Sequence, residues 1–107
     1  MNNKKLPKQF LKFKEKYPEI TDAHHQLGKA VHTAGPLDEK TRALVKIAIC
    51  GGAKMEGGFH AQVRKARELG VNWDEITHVA LLGIPSIGFP NSVALLTWID
   101  DVKAKEE

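Results

Sequence analysis

The chain has 107 residues, of which 42% are hydrophobic and 27% are charged, and its formal net charge is +3. Cys50 is the only cysteine, which excludes a disulfide or a dithiol redox pair within one chain and also a zinc site built from several thiolates. No segment approaches the about 18 to 20 consecutive apolar residues that span a bilayer. We therefore expect one globular domain over residues 1–107, in a reducing, cytoplasmic setting.

The positive charge is concentrated at the N-terminus, where residues 1–16 hold six Lys and one Glu. The first predicted helix, about residues 7–16 within a basic amphipathic segment 1–17, carries an apolar stripe at helical spacing that Pro18 should end. Packing against its own or a neighbouring subunit explains this stripe most simply, so we predict neither a nucleic-acid nor a membrane partner. The stripe consists of Leu6, Phe10, Phe13 and Tyr17.

Two more helices are predicted before the middle of the chain. The second covers residues 19–34 and stops at Gly35-Pro36. The third begins after Asp38, a side-chain cap, and its nearly continuous apolar sequence predicts the most buried element. The next segment has four glycines in eight residues, which indicates a sharp turn or the close approach of another backbone or a ligand.

Three further helices complete the prediction. Helix 4 covers about residues 56–69 and ends at Gly70 in a left-handed cap, and Asn72 with Glu75 forms a capping box for helix 5. A break over residues 84–90 precedes helix 6, residues 91–103. The inward positions are Phe59, Val63, Ala66 and Leu69 on helix 4, Ile76, Val79, Ala80 and Leu81 or Leu82 on helix 5, and Val93, Leu96, Ile99 and Val102 on helix 6. The sequence predicts an all-α fold of about six short helices, with enough exposed apolar groups to favour an oligomer.

Histidines require a test for metal binding. Five are present, at positions 24, 25, 32, 60 and 78, and none of them forms a strong ligand pattern. His25 and His32 are seven residues apart and could share a helix face, but no HExxH motif or facing carboxylate pair completes a site. We therefore predict no metal site and no cofactor.

Glu56 and His60 are the residues with the clearest capacity for chemistry. They are four residues apart, which places both on one helix face, and Arg64 continues that face. An imidazole with an oriented carboxylate can move a proton, and a neighbouring guanidinium can hold an anionic group. The same spacing is also typical of a solvated ion pair that adds only a few tenths of a kcal/mol, roughly, to helix stability.

From about Leu37 to Asp101 the chain resembles the carboxymuconolactone decarboxylase and alkylhydroperoxidase D-like superfamily. The resemblance lies in the order and spacing of a Lys-Thr-Arg entry to a buried helix, a histidine followed six residues later by alanine, a glycine cap, a Glu-Ile pair and a Gly-Phe-Pro break. The matching segments are residues 37–44, 60–66, 69–71, 74–76 and 88–90. The resemblance implies subunits built around a buried helical hairpin and assembled into trimers or hexamers.

The resemblance also separates two activities. Peroxidase members carry a C-x-x-C pair ahead of the family histidine, whereas Ala53 and Glu56 occupy those positions here. Cys50, at the end of an apolar helix, is a poor substitute, so thiol peroxidase activity is the less favoured interpretation. Titration with a thiol reagent would test any redox role of Cys50 across subunits.

The decarboxylase branch lacks the cysteine pair and retains the histidine. The resemblance therefore implies an acid/base lyase that acts on a carboxylated lactone or a similar anionic metabolite. In it His60 would donate the proton, Glu56 would orient or recharge the ring, and Arg64 would hold a substrate carboxylate. Gly57 and Gly58 would let the substrate lie against the backbone. The alternative is a non-catalytic oligomeric scaffold or binding protein, in which Glu56 and His60 form a polar subunit contact.

Overall fold

The computed structural model describes residues 7–106, and this part of the chain forms seven α-helices and no β-strand. The predicted all-α fold is confirmed. The chain divides into two compact units, of which the first ends at Pro36 and the second begins at Leu37. The prediction of one domain over residues 1–107 stays a prediction. Within residues 7–106 no helix combines the length and the hydropathy that crossing a bilayer requires.

The first unit contains α1 (Lys8–Lys16) and α2 (Pro18–His32), and neither helix buries a residue. Pro18 ends α1 as predicted and takes the first position of α2, where its missing N–H costs nothing. The second helix stops two residues before the predicted end. Large apolar side chains stay exposed along this unit, namely Phe10, Phe13, Tyr17, Ile20, Leu27 and Val31. Leu6 and the rest of residues 1–6 lie outside the described residues.

The second unit begins with α3 (Glu39–Gly52), whose predicted cap is confirmed because the Asp38 carboxylate accepts the Thr41 N–H at 2.8 Å. The structure differs from the prediction that this helix is the most buried element. Ala43, Ile47 and Gly51 are buried, but the Ile49 side chain is 64% exposed. The helix is apolar on more than one face, and the second unit covers only the face toward its own core.

A tight hairpin joins α3 to α4 (Glu56–Glu68) through residues 53–55. Gly51 permits this packing, because a Cβ there would lie 3.0 Å from Leu95 Cδ1 and 3.1 Å from Phe59 Cε1. Phe59 and Val63 are completely buried, as predicted for helix 4. Leu69 was placed inward by the prediction but is the exposed C-cap, and Gly70 follows with the expected positive φ of 88°.

The next helix, α5 (Trp73–Leu82), starts with the predicted capping box. The Asn72 side chain accepts the Glu75 N–H at 2.8 Å, and the Glu75 carboxylate accepts the Asn72 N–H at 3.1 Å. Ile76 and Ala80 are buried, whereas Leu81 and Leu82, either of which was predicted to face inward, are exposed.

The predicted break over residues 84–90 contains the one-turn helix α6 (Ile84–Ile87), followed by α7 (Phe89–Glu106). Gly88 connects them and has a positive φ of 94°. The buried stripe of α7 differs from the predicted one, because three-residue steps drift around a helix of 3.6 residues per turn. Val93 is exposed and Leu96 half-buried, and the buried residues are Ser92, Leu95, Ile99 and Val102.

Arg67 fixes the C-terminal end of α7 to the rest of the second unit. Its guanidinium binds Glu106 through both Nη2 (2.6 Å to Oε1) and Nε (3.1 Å to Oε2). It also donates to the Val71 carbonyl at 2.9 Å and stacks 4.5 Å from the centre of the Trp73 ring. These contacts hold α7 alongside α4 and thereby position Asp101 on the last turns of α7.

Candidate functional site

His60 lies in the second turn of α4 and is held in place by its neighbour in the sequence. Phe59 is fully buried and packs edge-on against Trp98 of α7, with ring centroids 5.7 Å apart. The His60 ring meets the same indole at 6.5 Å, and 20% of its side chain remains exposed. The imidazole is therefore fixed on its aromatic side and accessible to solvent on another.

Two carboxylates converge on His60. Oδ2 of Asp101 lies 3.2 Å from His60 Nε2, which joins α7 to α4. Glu56 belongs to the first turn of α4, and one carboxylate oxygen of each acid lies with one His60 ring nitrogen in a set whose atoms are all within 4.8 Å of one another. The predicted pairing of Glu56 and His60 on one face is thus accompanied by a third group from another helix.

Asp101 was missed by the sequence reasoning. It lies 41 residues from His60, so no spacing rule joins the two. The available signal was its place between the buried residues Ile99 and Val102, which indicates a polar side chain at the margin of the core. That signal would have indicated Asp100 and Asp101 alike, without naming a partner for either.

Arg64 follows His60 by one turn of α4 and is half-buried. Within residues 7–106 it forms no hydrogen bond or ion pair, in contrast to Arg67, which is fully engaged with Glu106. Its guanidinium therefore retains donors for an anionic group, although no described contact links it directly to His60.

The two glycines predicted to receive substrate have different surroundings. A Cβ at Gly57 would meet no atom within 4 Å, so this position borders open space. A Cβ at Gly58 would lie 3.4 Å from Cys50 Sγ and 3.6 Å from Met55 Cβ, which is ordinary packing distance. Gly58 thus faces α3 and the half-buried thiol of Cys50.

Lys46 lies on α3, one turn before Cys50, and is half-buried. Burial is the main reason why the pKa of Lys46 is lowered, and the nearby positive charge of Lys65 lowers it further.

Neither His25 nor His32 belongs to a group of potential metal ligands within residues 7–106. His25 is exposed and His32 is half-buried on α2. In the part of the chain that the structure describes, the single group of three potential ligand side chains is Glu56, His60 and Asp101. Its imidazole and carboxylates can exchange protons or can coordinate a cation.

Comparisons with known proteins identify the family. The family described as "Carboxymuconolactone decarboxylase family" matches residues 18–101, which include Glu56, His60 and Asp101. An uncharacterized protein of Methanocaldococcus jannaschii is 35% identical over 78 residues, covering 72% of this chain and 75% of that protein. A carboxymuconolactone decarboxylase family protein from Legionella pneumophila, whose apo crystal structure is known, superposes with a TM-score of 0.76 at 19% identity, covering 92% of this chain and 88% of that one. The chain belongs to the carboxymuconolactone decarboxylase family.

Proposed function

We propose that this protein is an acid/base lyase that decarboxylates a carboxylated lactone or a similar anionic metabolite through His60. The observation that carries the proposal is the half-buried imidazole with one carboxylate 3.2 Å away and a second one turn earlier on its own helix. Membership of the family supports the reaction class. The missing C-x-x-C pair supports the choice of this class over thiol chemistry, because Ala53 and Glu56 stand where the sulfurs would be.

The proposed reaction breaks the bond between a substrate carbon and its carboxylate. Carbon dioxide leaves, the electron pair is delocalised into the unsaturated lactone, and a proton must then be delivered to carbon. In a ring protonated on both nitrogens, Nε2 donates to Asp101 while the other nitrogen gives its proton to the substrate. Glu56 orients the ring and returns a proton to it from solvent.

Arg64 is proposed to hold a carboxylate of the substrate. Its guanidinium has no described partner within residues 7–106, so binding an anion there breaks no existing contact. Gly57 borders open space at the start of α4 and leaves room for a substrate beside Glu56. Gly58 contributes less directly to substrate binding, since a Cβ added there would lie against Cys50 and Met55.

The test is a screen of carboxylated lactones with the purified protein, in which release of carbon dioxide is measured. Turnover is expected for the wild-type protein, and His60→Gln is expected to lower kcat by roughly 10² to 10⁴, the usual contribution of a general acid. His78→Gln is the matched control, because His78 is exposed on α5 and lies outside the cluster. Unchanged turnover in the His60 variant would refute the catalytic role.

A second candidate function is a non-catalytic oligomeric scaffold, in which the His60–Asp101 contact is structural. The observation that favours assembly is the set of large apolar side chains left exposed on the second unit, such as Ile49, Leu82 and Phe89. We propose a homo-oligomer, a trimer or hexamer, under either function, and light scattering of the purified chain tests it. Assembly with no turnover on any lactone would favour the scaffold.

A further inference from the structure

We propose that Glu56, His60 and Asp101 form a binding site for a divalent transition metal ion such as Zn²⁺. The sequence alone predicts no metal site, because this ligand set combines two helices that are distant in sequence. This proposal concerns binding alone and does not depend on the lyase function.

The distances suit a small cation. Zinc binds imidazole nitrogen and carboxylate oxygen at about 2.0 to 2.2 Å, so two ligands of a tetrahedral site lie about 3.3 Å apart. His60 Nε2 and Asp101 Oδ2 already have a separation of 3.2 Å. One carboxylate oxygen of Glu56 lies within 4.8 Å of a carboxylate oxygen of Asp101 and of a ring nitrogen of His60. The Glu56 side chain is exposed and therefore free to close the remaining roughly 1 to 2 Å by changing rotamer.

The local framework holds the histidine while leaving one ligand adjustable. His60 is fixed by the buried Phe59 and by the Trp98 ring, so it needs little reorganisation to accept a metal. Glu56 and His60 are one helical turn apart, a spacing that helices use to direct two ligands at one zinc ion. The site thus combines a preorganised imidazole with two negative charges.

The chemical types of the three ligands indicate which metal the site would prefer. Imidazole favours zinc and other first-row transition metals, whereas sites for Mg²⁺ and Ca²⁺ are built from oxygen ligands. Three protein ligands leave a fourth position open to water or to a substrate carboxylate, as in catalytic zinc sites. A metal on a ring nitrogen of His60 occupies the lone pair that a proton would take. Zinc binding and proton transfer by the same nitrogen therefore exclude each other.

The experiment is calorimetric titration of tag-free protein with Zn²⁺, with Co²⁺ as a second probe whose visible absorption reports its coordination. One ion per chain is expected to bind, and Mg²⁺ at the same concentration is not. His60→Gln, Glu56→Gln and Asp101→Asn are each expected to raise Kd at least about 100-fold, since loss of even an outer partner of a metal ligand costs roughly 10- to 100-fold.

Matched controls separate this site from general surface binding. Asp100→Asn removes a neighbouring exposed carboxylate, and His25→Gln removes an exposed histidine outside the cluster. Both are expected to leave Kd unchanged. Circular dichroism of each variant verifies the helical fold, and Glu56 is exposed, so its loss leaves the core intact. Absence of zinc binding, or binding unaffected by the three ligand variants, overturns the proposal. Neither result bears on the lyase function, which is measured by turnover.

Discussion

His60 Nε2 and Asp101 Oδ2 lie 3.2 Å apart and join the second turn of α4 to the last turns of α7. The Asp101 side chain is 48% exposed, so solvent screens this contact. Pairs of this kind contribute about 0.2 to 1 kcal/mol to stability. The pair is thus a weak source of stability, while its geometry fixes the orientation of the imidazole.

A double-mutant cycle tests this distinction. His60→Gln, Asp101→Asn and the double variant are expected to give a coupling free energy of about 0.2 to 1 kcal/mol in urea denaturation. A coupling near 3 kcal/mol or more, roughly the cost of breaking a buried pair, would instead mark the contact as structural and favour the scaffold function. Asp100→Asn combined with His60→Gln serves as the control and is expected to show no coupling.

Glycine substitutions test which glycines the fold requires. Gly51→Ala is expected to lower the free energy of unfolding by about 1 to 3 kcal/mol, because the new Cβ would crowd Leu95 and Phe59 in the core. Gly57→Ala is the matched control within the same glycine-rich segment. It meets no atom within 4 Å and is expected to stabilise the chain by about 0.4 to 1 kcal/mol. Equal effects of the two substitutions in denaturant titrations would contradict this assignment.

Local signals in the sequence predicted most of the helices correctly. Asp38 and the Asn72–Glu75 capping box mark helix starts through contacts within four residues, and Gly70 marks an end through its own backbone angle. Because these contacts are local in the sequence, they can be predicted without knowing the fold. The burial of Phe59 and Val63 was also predicted correctly, because α4 has one clear apolar face.

Features that depend on distant residues were missed. The helices α3 and α5 carry apolar groups on several faces, and neither helix's own sequence determines which face the neighbouring helices cover. For this reason the exposure of Ile49 and Leu82 was not predicted. Asp101 reaches His60 because α7 packs against α4, through the Phe59–Trp98 contact and through the ion pair between Arg67 and Glu106. The proximity of Glu56 and His60 was predicted from one helix, whereas the proximity of Asp101 to them depends on the fold.

We expect the ionisation of Glu75 to account for part of the loss of stability in acid. Its pKa is lowered, first by the hydrogen bond from Lys40 of α3 and then by the Asn72 backbone N–H. Because the folded-state pKa lies below the usual 4.5, ionised Glu75 stabilises the fold at higher pH, and this contribution is lost as the pH falls through the lowered value. Melting temperatures measured from acidic to neutral pH are expected to vary less in Glu75→Gln, which is also less stable near neutrality.

The control for this experiment is Asp74→Asn, in the same helical turn. Asp74 is exposed and takes no part in the capping box, so its variant should retain the acid dependence of the wild-type chain. The melting temperature of Glu75→Gln should still vary somewhat with pH, because the pKa of Asp38 is also lowered, mainly by the Thr41 N–H. A wild-type-like pH profile in Glu75→Gln would show that the contacts with Lys40 and with the Asn72 N–H do not lower the pKa of Glu75 in solution.

Ser92 provides a test of the core itself. Its side chain is buried at 1% exposure, and its hydroxyl has no hydrogen-bond partner within residues 7–106. An unsatisfied buried hydroxyl costs about 1 to 3 kcal/mol, and alanine is also the better helix former. We therefore expect Ser92→Ala to raise the free energy of unfolding by about 1 kcal/mol in urea denaturation, after the small loss of packing is included. Ser86→Ala, at an exposed position of α6, should change it little. A clear loss of stability in Ser92→Ala would mean that a buried water satisfies the hydroxyl in solution.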